Sequence, residues 1–183
     1  MTRLRPLFLA AFLAAAGPLV AQTDGTAAPQ AEAEAEADTV VGNGQRIGAW
    51  TVSCVAVAAG QTSCTLAQRI TRTADGAFVA DVVALRDGED KTYLLARVPI
   101  GAALPSGFAM REEDSEEMMQ FAWQVCSAQL CEALLEIDDA QLAALSAEDN
   151  SMIAAFRPTL RAEPFVFQLS LAGMQEGLDA LGK

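Results

Sequence analysis

The chain has 183 residues, with 12 Lys+Arg against 24 Asp+Glu, a formal net charge of −12 and no histidine. The missing imidazole excludes Ser-His-Asp and Cys-His nucleophile systems and every metal site that needs a His ligand. The acidic balance argues against a nucleic-acid partner, which needs clustered Lys and Arg, while 52% hydrophobic and 20% charged residues supply enough apolar material for a core.

Met1–Arg5 carries Arg3 and Arg5 and no acid, and Pro6–Ala21 then runs without a charge, as PLFLAAFLAAAGPLVA. A positive start followed by an apolar stretch ending in small residues reads as a Sec-type signal peptide over residues 1–21. The stretch is short of the roughly 20 apolar residues that a membrane span needs, so no span is expected once it is removed. Removal takes away two arginines and no acid, which moves the net charge from −12 to −14. Residues 22–45, QTDGTAAPQAEAEAEADTVVGNGQ, offer no large apolar group before Val40. They read as a disordered, acidic Ala/Glu-rich tether. Residues 46–183 are left for one folded domain with a single core. With the tether and Arg46 set aside, the domain still carries −10, and at the level of net charge this argues against an anionic partner surface.

From Ile47 onward, short runs of period two alternate with turn residues, which is an all-β signature. The runs are Ile47–Val57, Thr62–Thr71, Ala77–Leu85, Tyr93–Pro99, Phe108–Glu112, Met119–Cys126, Cys131–Ile137, Met152–Arg157 and Pro164–Leu169. Gly60, Asp75-Gly76, Asp87-Gly88 and Pro105-Ser106-Gly107 punctuate them. Asp138–Ser146 begins on an N-cap-type Asp and predicts a short helix. Met174, Leu178 and Leu181 recur at helical spacing and predict a second helix over Gly173–Leu181.

Four cysteines in an exported chain form disulfides as a rule, and the sequence allows three pairings. Setting Cys54 opposite Cys64 puts Val52 against Leu66 and Trp50 against Gln68 on one face, with Thr51 and Ser53 against Ala67 and Thr65 on the other. That separates apolar from polar, as a half-buried antiparallel pair requires. Setting Cys126 opposite Cys131 pairs Trp123 with Leu134 and Ala122 with Leu135. It also sets Phe121 against Glu136 and Val125 against Glu132, so its faces are mixed. Crossed pairings close longer loops and would stabilise more, roughly 4–5 kcal/mol per bond against about 2–3. The first hairpin favours Cys54–Cys64 together with Cys126–Cys131, with the crossed pairings still open. Neither spacing opens a helix, the setting that activates a redox thiol.

Glu112-Glu113-Asp114 with Glu116-Glu117, and Asp87-Gly88-Glu89-Asp90, are the densest acidic runs. Neither has the ligand order of a calcium loop, and both read as solvated turns. There is no phosphate-cradling Gly-rich loop and no Ser in a nucleophile-elbow setting. No catalytic, cofactor-binding or metal-ligating residue is therefore assigned. Trp50, Phe121, Trp123, Phe165 and Phe167 fall in strand patterns and read as core.

An ordered set of short pieces carries a family likeness. These are Trp50-Thr-Val-Ser-Cys54, Cys64-Thr-Leu-Ala-Gln68, Val98-Pro-Ile-Gly101 with Leu104-Pro-Ser-Gly107, and Phe121 leading to Cys126 and Cys131. Asp138–Leu145, then Ser170-Leu-Ala-Gly173 with Ala180-Leu181, complete it. In this order the chain resembles the invasion-associated locus B family of exported alphaproteobacterial proteins. The resemblance implies an immunoglobulin-like antiparallel β-sandwich with one or two short helices, located in the periplasm, in the outer envelope or outside the cell, and it brings no catalytic residues. Residues and resemblance together point to a non-enzymatic binding domain for a protein or glycan of the envelope or a host surface. The rival reading is an envelope hydrolase that uses two carboxylates on glycan or cell wall.

Overall fold

The computed structural model describes residues 41–146 and 151–182. The signal-peptide reading over 1–21 and the tether as far as residue 40 lie outside the described residues. The strands are β1 (Arg46–Ile47), β2 (Trp50–Ala58), β3 (Gln61–Thr71), β4 (Phe78–Arg86), β5 (Thr92–Pro99), β6 (Phe108–Glu112), β7 (Met119–Cys126), β8 (Leu130–Ile137), β9 (Ser151–Phe156) and β10 (Phe165–Ser170). Among the described residues two short helices, α1 (Asp139–Leu145) and α2 (Met174–Leu181), and a 3-10 turn at Leu104–Ser106 complete an all-β fold.

The strands hydrogen-bond in one continuous order, β1-β2-β3-β4-β5-β8-β7-β6-β9-β10. Alternate residues turn inward along them: β5 reads buried at Thr92, Leu94, Ala96 and Val98 and half-buried between, the period-two burial that a strand with one core face must show. The sheet doubles over, so that inward side chains from both halves share one core, including Trp50, Leu66, Leu94, Phe108, Met110, Met152 and Leu169. The halves are joined through β8 and β7 and are not detached sheets. Phe108 centres an aromatic cluster, edge-on to Phe121 at 4.8 Å and stacked with Phe156 at 6.2 Å, geometries that suit the ring quadrupoles.

Closure depends on a crossing between the start and the end of the domain. The Ala49 amide donates to the Ala172 carbonyl at 3.1 Å, and Gln68 Nε2 donates to the Ser170 carbonyl at 2.9 Å. Gly48, at φ +55°, passes so close that a Cβ there would overlap the Ala172 carbonyl. Gly173, at φ +81°, then turns the chain into α2, a left-handed position that a side chain would strain. Beyond it α2 buries Met174 and Leu178 and is tied to the sheet by Arg86–Asp179 at 2.8 Å. α1 begins on a reciprocal cap: Asp138 Oδ1 accepts from the Gln141 amide at 2.8 Å, and Gln141 Oε1 accepts from the Asp138 amide at 3.1 Å.

Two details differ from the sequence expectation. The run drawn from Ile47 to Val57 is broken at Gly48-Ala49 into β1 and β2, because the chain bends there to reach Ala172. In the second hairpin Trp123 pairs with Ala133 and Ala122 with Leu134, while Val125 still faces Glu132. An irregularity between Trp123 and Val125 adds one residue to β7. That extra residue resolves the mixed faces, because a one-residue insertion swaps the side of every residue behind it. Phe121 thereby becomes buried and Trp123 packs against the core.

Candidate functional site

Glu112–Glu117 forms the turn between β6 and β7, and Arg111 Nη1 binds its backbone, donating to the carbonyls of Glu112 at 3.0 Å, Glu113 at 2.7 Å and Ser115 at 2.9 Å. The carboxylates of Glu112, Glu113, Asp114, Glu116 and Glu117 belong to exposed residues. In the β4–β5 turn, Asp87 Oδ1 accepts from the amides of Glu89 at 2.9 Å and Lys91 at 3.0 Å. Those amides hold its carboxyl below the ordinary aspartate range, the Glu89 amide contributing most. Burial raises the neighbouring Tyr93 phenol, and the charges of Asp87 and Glu136 add to the effect. Asp81 and Glu132 lie on the outer face of the sheet, in a row that reads Arg69, Asp81, Arg97, Glu132 across β3, β4, β5 and β8. Arg69–Asp81 and Arg97–Glu132 are ion pairs at 2.9 Å each. Opposite charges directly across a sheet favour this register. Among the described residues no group of three or more His, Cys, Asp or Glu is placed to hold a metal ion.

The structure joins Cys54 to Cys64 and Cys126 to Cys131, at Cα–Cα distances of 4.0 and 3.9 Å. In the first hairpin Val52 faces Leu66 and Thr51 faces Ala67. β4 begins to pair with β3 only at Leu66, so the ribbon from Val55 to Ser63 stands beyond the sheet and is exposed throughout. The second disulfide sits at a tight turn, where the Ser127 amide donates to the Leu130 carbonyl at 2.7 Å.

That second turn belongs to the end of the domain where apolar side chains gather. The Ile100 amide donates to the Gln129 carbonyl at 3.0 Å and the Ala103 amide to the Arg157 carbonyl at 2.8 Å. Trp123 Nε1 donates to the Leu104 carbonyl at 2.9 Å. These bonds connect the β5–β6 loop, the β7–β8 turn and the β9–β10 loop. Between them and the start of β4 lies a cavity of about 200 Å³ lined by Phe78, Val79, Pro99, Ile100, Phe156 and Phe165. On these segments large apolar side chains stand in solvent: Ile100 is 56% exposed, Leu104 38%, Val125 57% and Leu160 72%. Arg72 lies at the cavity rim, and its guanidinium, paired with Asp75 at 2.6 Å, holds that carboxyl below its ordinary range. A broader cleft of about 700 Å³ beside α2 borders Gly48, Ser146, Gln175, Glu176 and Asp179.

Sequence reasoning did not single out Ile100, Leu104, Val125 or Leu160. A usable signal existed in three of them. Ile100-Gly101, Leu104-Pro105 and Pro158-Thr159-Leu160 place a large apolar residue inside turn chemistry, where no core strand can bury it. Val125 carries no turn signal, but the simple register already set it against Glu132, the pairing it keeps.

Comparison with known proteins gives a family and a fold. Residues 50–182 match the family model described as invasion associated locus B (IalB) protein. The crystal structure of invasion associated protein B from Bartonella henselae superposes with a TM-score of 0.58 at 15% sequence identity. The match covers 75% of this chain and 92% of that one. No curated protein matches the chain at a significant level.

Proposed function

The chain belongs to the invasion associated locus B family, and on that premise we propose that it is an exported, non-catalytic binding domain of the cell envelope, stapled by two disulfides. In this reading residues 1–21 are the signal peptide, 22–45 a solvated tether and 46–183 the binding domain, held in the periplasm, at the outer envelope or outside the cell. A role in host-cell invasion is the narrower form of the same reading, and its support is the family's name.

The observation that carries the proposal is the loop end. Ile100, Leu104 and Leu160 are exposed in loops and Val125 near the end of β7, on segments tied together by hydrogen bonds. Water-exposed apolar clusters on a folded domain mark surfaces that are covered in use. The chemistry of the acids supports the same reading. Asp87 is engaged in its turn, Asp81 and Glu132 in cross-sheet ion pairs, and Asp179, at the cleft beside α2, in a pair with Arg86, where a hydrolase needs two carboxyls poised over a substrate cleft.

A photo-crosslinking residue placed at Leu160 in the full chain tests this in intact envelopes, with one at Val57 as the control, since both positions are well exposed. Adducts that form from position 160 and not from 57 are expected. Silence at both positions would overturn the reading. So would turnover of a cell-wall glycan that survives Leu160→Ser and is lost when Glu112 or Glu117 is replaced by Gln.

A further inference from the structure

Net charge hides how the charge is distributed. At the loop end Arg72 is paired with Asp75, and beyond that pair stand Arg157, Arg161 and Glu163. The outer-face row nearby is neutral by pairing, Arg69 with Asp81 and Arg97 with Glu132. At the other ends of the strands Glu89 is paired with Lys91 at 3.7 Å, and the remaining acidity gathers at Asp87, Asp90, Glu112–Glu117, Glu136, Asp138 and Asp139. β5, with 8 residues, separates the two ends, and at about 3.3 Å per residue that is roughly 26 Å. The Debye length at physiological salt is only about 8 Å, so a surface that meets the loop end is screened from most of the domain's negative charge. The net charge of the domain therefore does not exclude an anionic partner, contrary to what its sum alone implies.

We infer that the loop end is a membrane-contacting tip, and that the surface it meets is an anionic lipid bilayer. The inference rests on the reading that the loop end is the binding surface. Ile100 and Leu104 rise from the β5–β6 loop, Leu160 from the β9–β10 loop and Val125 from the end of β7; Ile100 also lines the cavity of about 200 Å³. A cavity of that size is below the usual range for a small-molecule site. Separate apolar points suit a fluid partner, which needs no complementary shape and accepts side chains at the headgroup–acyl boundary. Their mounting is stiff. The Cys126–Cys131 disulfide, the Trp123–Leu104 bond and the Arg157 guanidinium donating to the Ala162 carbonyl at 2.8 Å hold the loops in place, so the side chains stay outside the core. Arg161, exposed next to Leu160, is placed to meet lipid phosphate.

The test uses the full chain with an environment-sensitive fluorophore on Leu160→Cys, and in a second preparation on Val57→Cys. Each is mixed with vesicles of phosphatidylcholine alone or with an equal part of phosphatidylglycerol. Blue-shifted emission at position 160, absent at 57 and dependent on phosphatidylglycerol, is the expected result. Arg161→Gln should weaken the response about fivefold, because each basic residue near an anionic surface contributes on that scale. Equal shifts at 160 and 57 would mean that the apolar stretch Pro6–Ala21 alone anchors the chain, and would overturn the tip. An equal response on phosphatidylcholine alone would overturn its preference for anionic lipid. Silence at 160 on both vesicles, with protein adducts still formed from position 160 in envelopes, would overturn the lipid partner and leave the loop end as a binding surface.

Discussion

The two disulfide hairpins are built from the same pieces and used in opposite ways. In the first, Cys54–Cys64 lies at the root of a ribbon, and everything beyond it, Val55–Ser63, is exposed and uncharged. In the second, Cys126–Cys131 lies at the tip, against a turn that itself holds the β5–β6 loop through Gln129 and Ile100. A staple at the root keeps a free-standing ribbon paired where the sheet gives it no neighbour. A staple at the tip holds a junction of three loops. The difference shows that a disulfide is best understood from what lies on its far side, and here only the second has the loop end behind it.

The largest expected effect comes from opening each disulfide in turn. By loop closure each costs about 2–3 kcal/mol, the longer first loop somewhat more. Urea unfolding of the Cys54→Ala/Cys64→Ala and Cys126→Ala/Cys131→Ala variants measures the sum. Amide exchange measures the location: the first variant should loosen residues 55–63 alone, the second Ile100–Leu104 as well. The same exchange pattern in both variants would break the comparison.

Next come the single hydrogen bonds that brace each hairpin. Trp123→Phe removes the bond to the Leu104 carbonyl and should cost about 1 kcal/mol. Asn43→Ala removes the acceptor for the Cys54 amide, held at 2.9 Å, and should cost less: water can replace the partner at both exposed sites, but Trp123→Phe also loses indole contact with the core. Thermal melts of the two variants would rank them.

Acid titration separates the two ends by mechanism. Asp75 is held low chiefly by its bond to Arg72, and Asp87 chiefly by the Glu89 amide. In both cases the folded carboxyl lies below its unfolded value of about 3.9. The stabilisation is therefore complete above that pH and is lost as pH falls through the folded value. Carboxyl carbon shifts followed with and without added salt should show Asp75 moving back toward the ordinary range, since salt screens an exposed ion pair. Asp87, held by amides, should stay low. The smallest effect belongs to Val57→Thr and Leu160→Ser, each within about 0.5 kcal/mol of the parent because neither side chain is in the core.

The strands could be read from the sequence wherever alternation was clean. Thr51, Ser53, Ala67 and Thr65 face outward because Val52 and Leu66 cannot. The helices could be read from Asp138 as cap and from Met174 and Leu178 as a stripe. What could not be read is what lies between distant segments. Nothing near Trp123 announces the extra residue in β7; only the clash of Phe121 with Glu136 hinted that a simple register was wrong. The Gly48–Ala172 crossing joins positions far apart in the chain, and no local pattern encodes such a meeting. The loop end was hidden for the same reason: three of its apolar residues carry a turn signal singly, but only the fold brings their loops to one end.

The crossing also sets an order in time. Ala49 and Gln68 bond to Ala172 and Ser170, so under the proposed export from the N-terminus the core could not close until nearly all of the chain had emerged. Contacts of such long sequence separation form slowly. A chain that stays open in transit remains threadable, and its two local disulfides join strands that are neighbours in sequence, so they can form before the domain shuts.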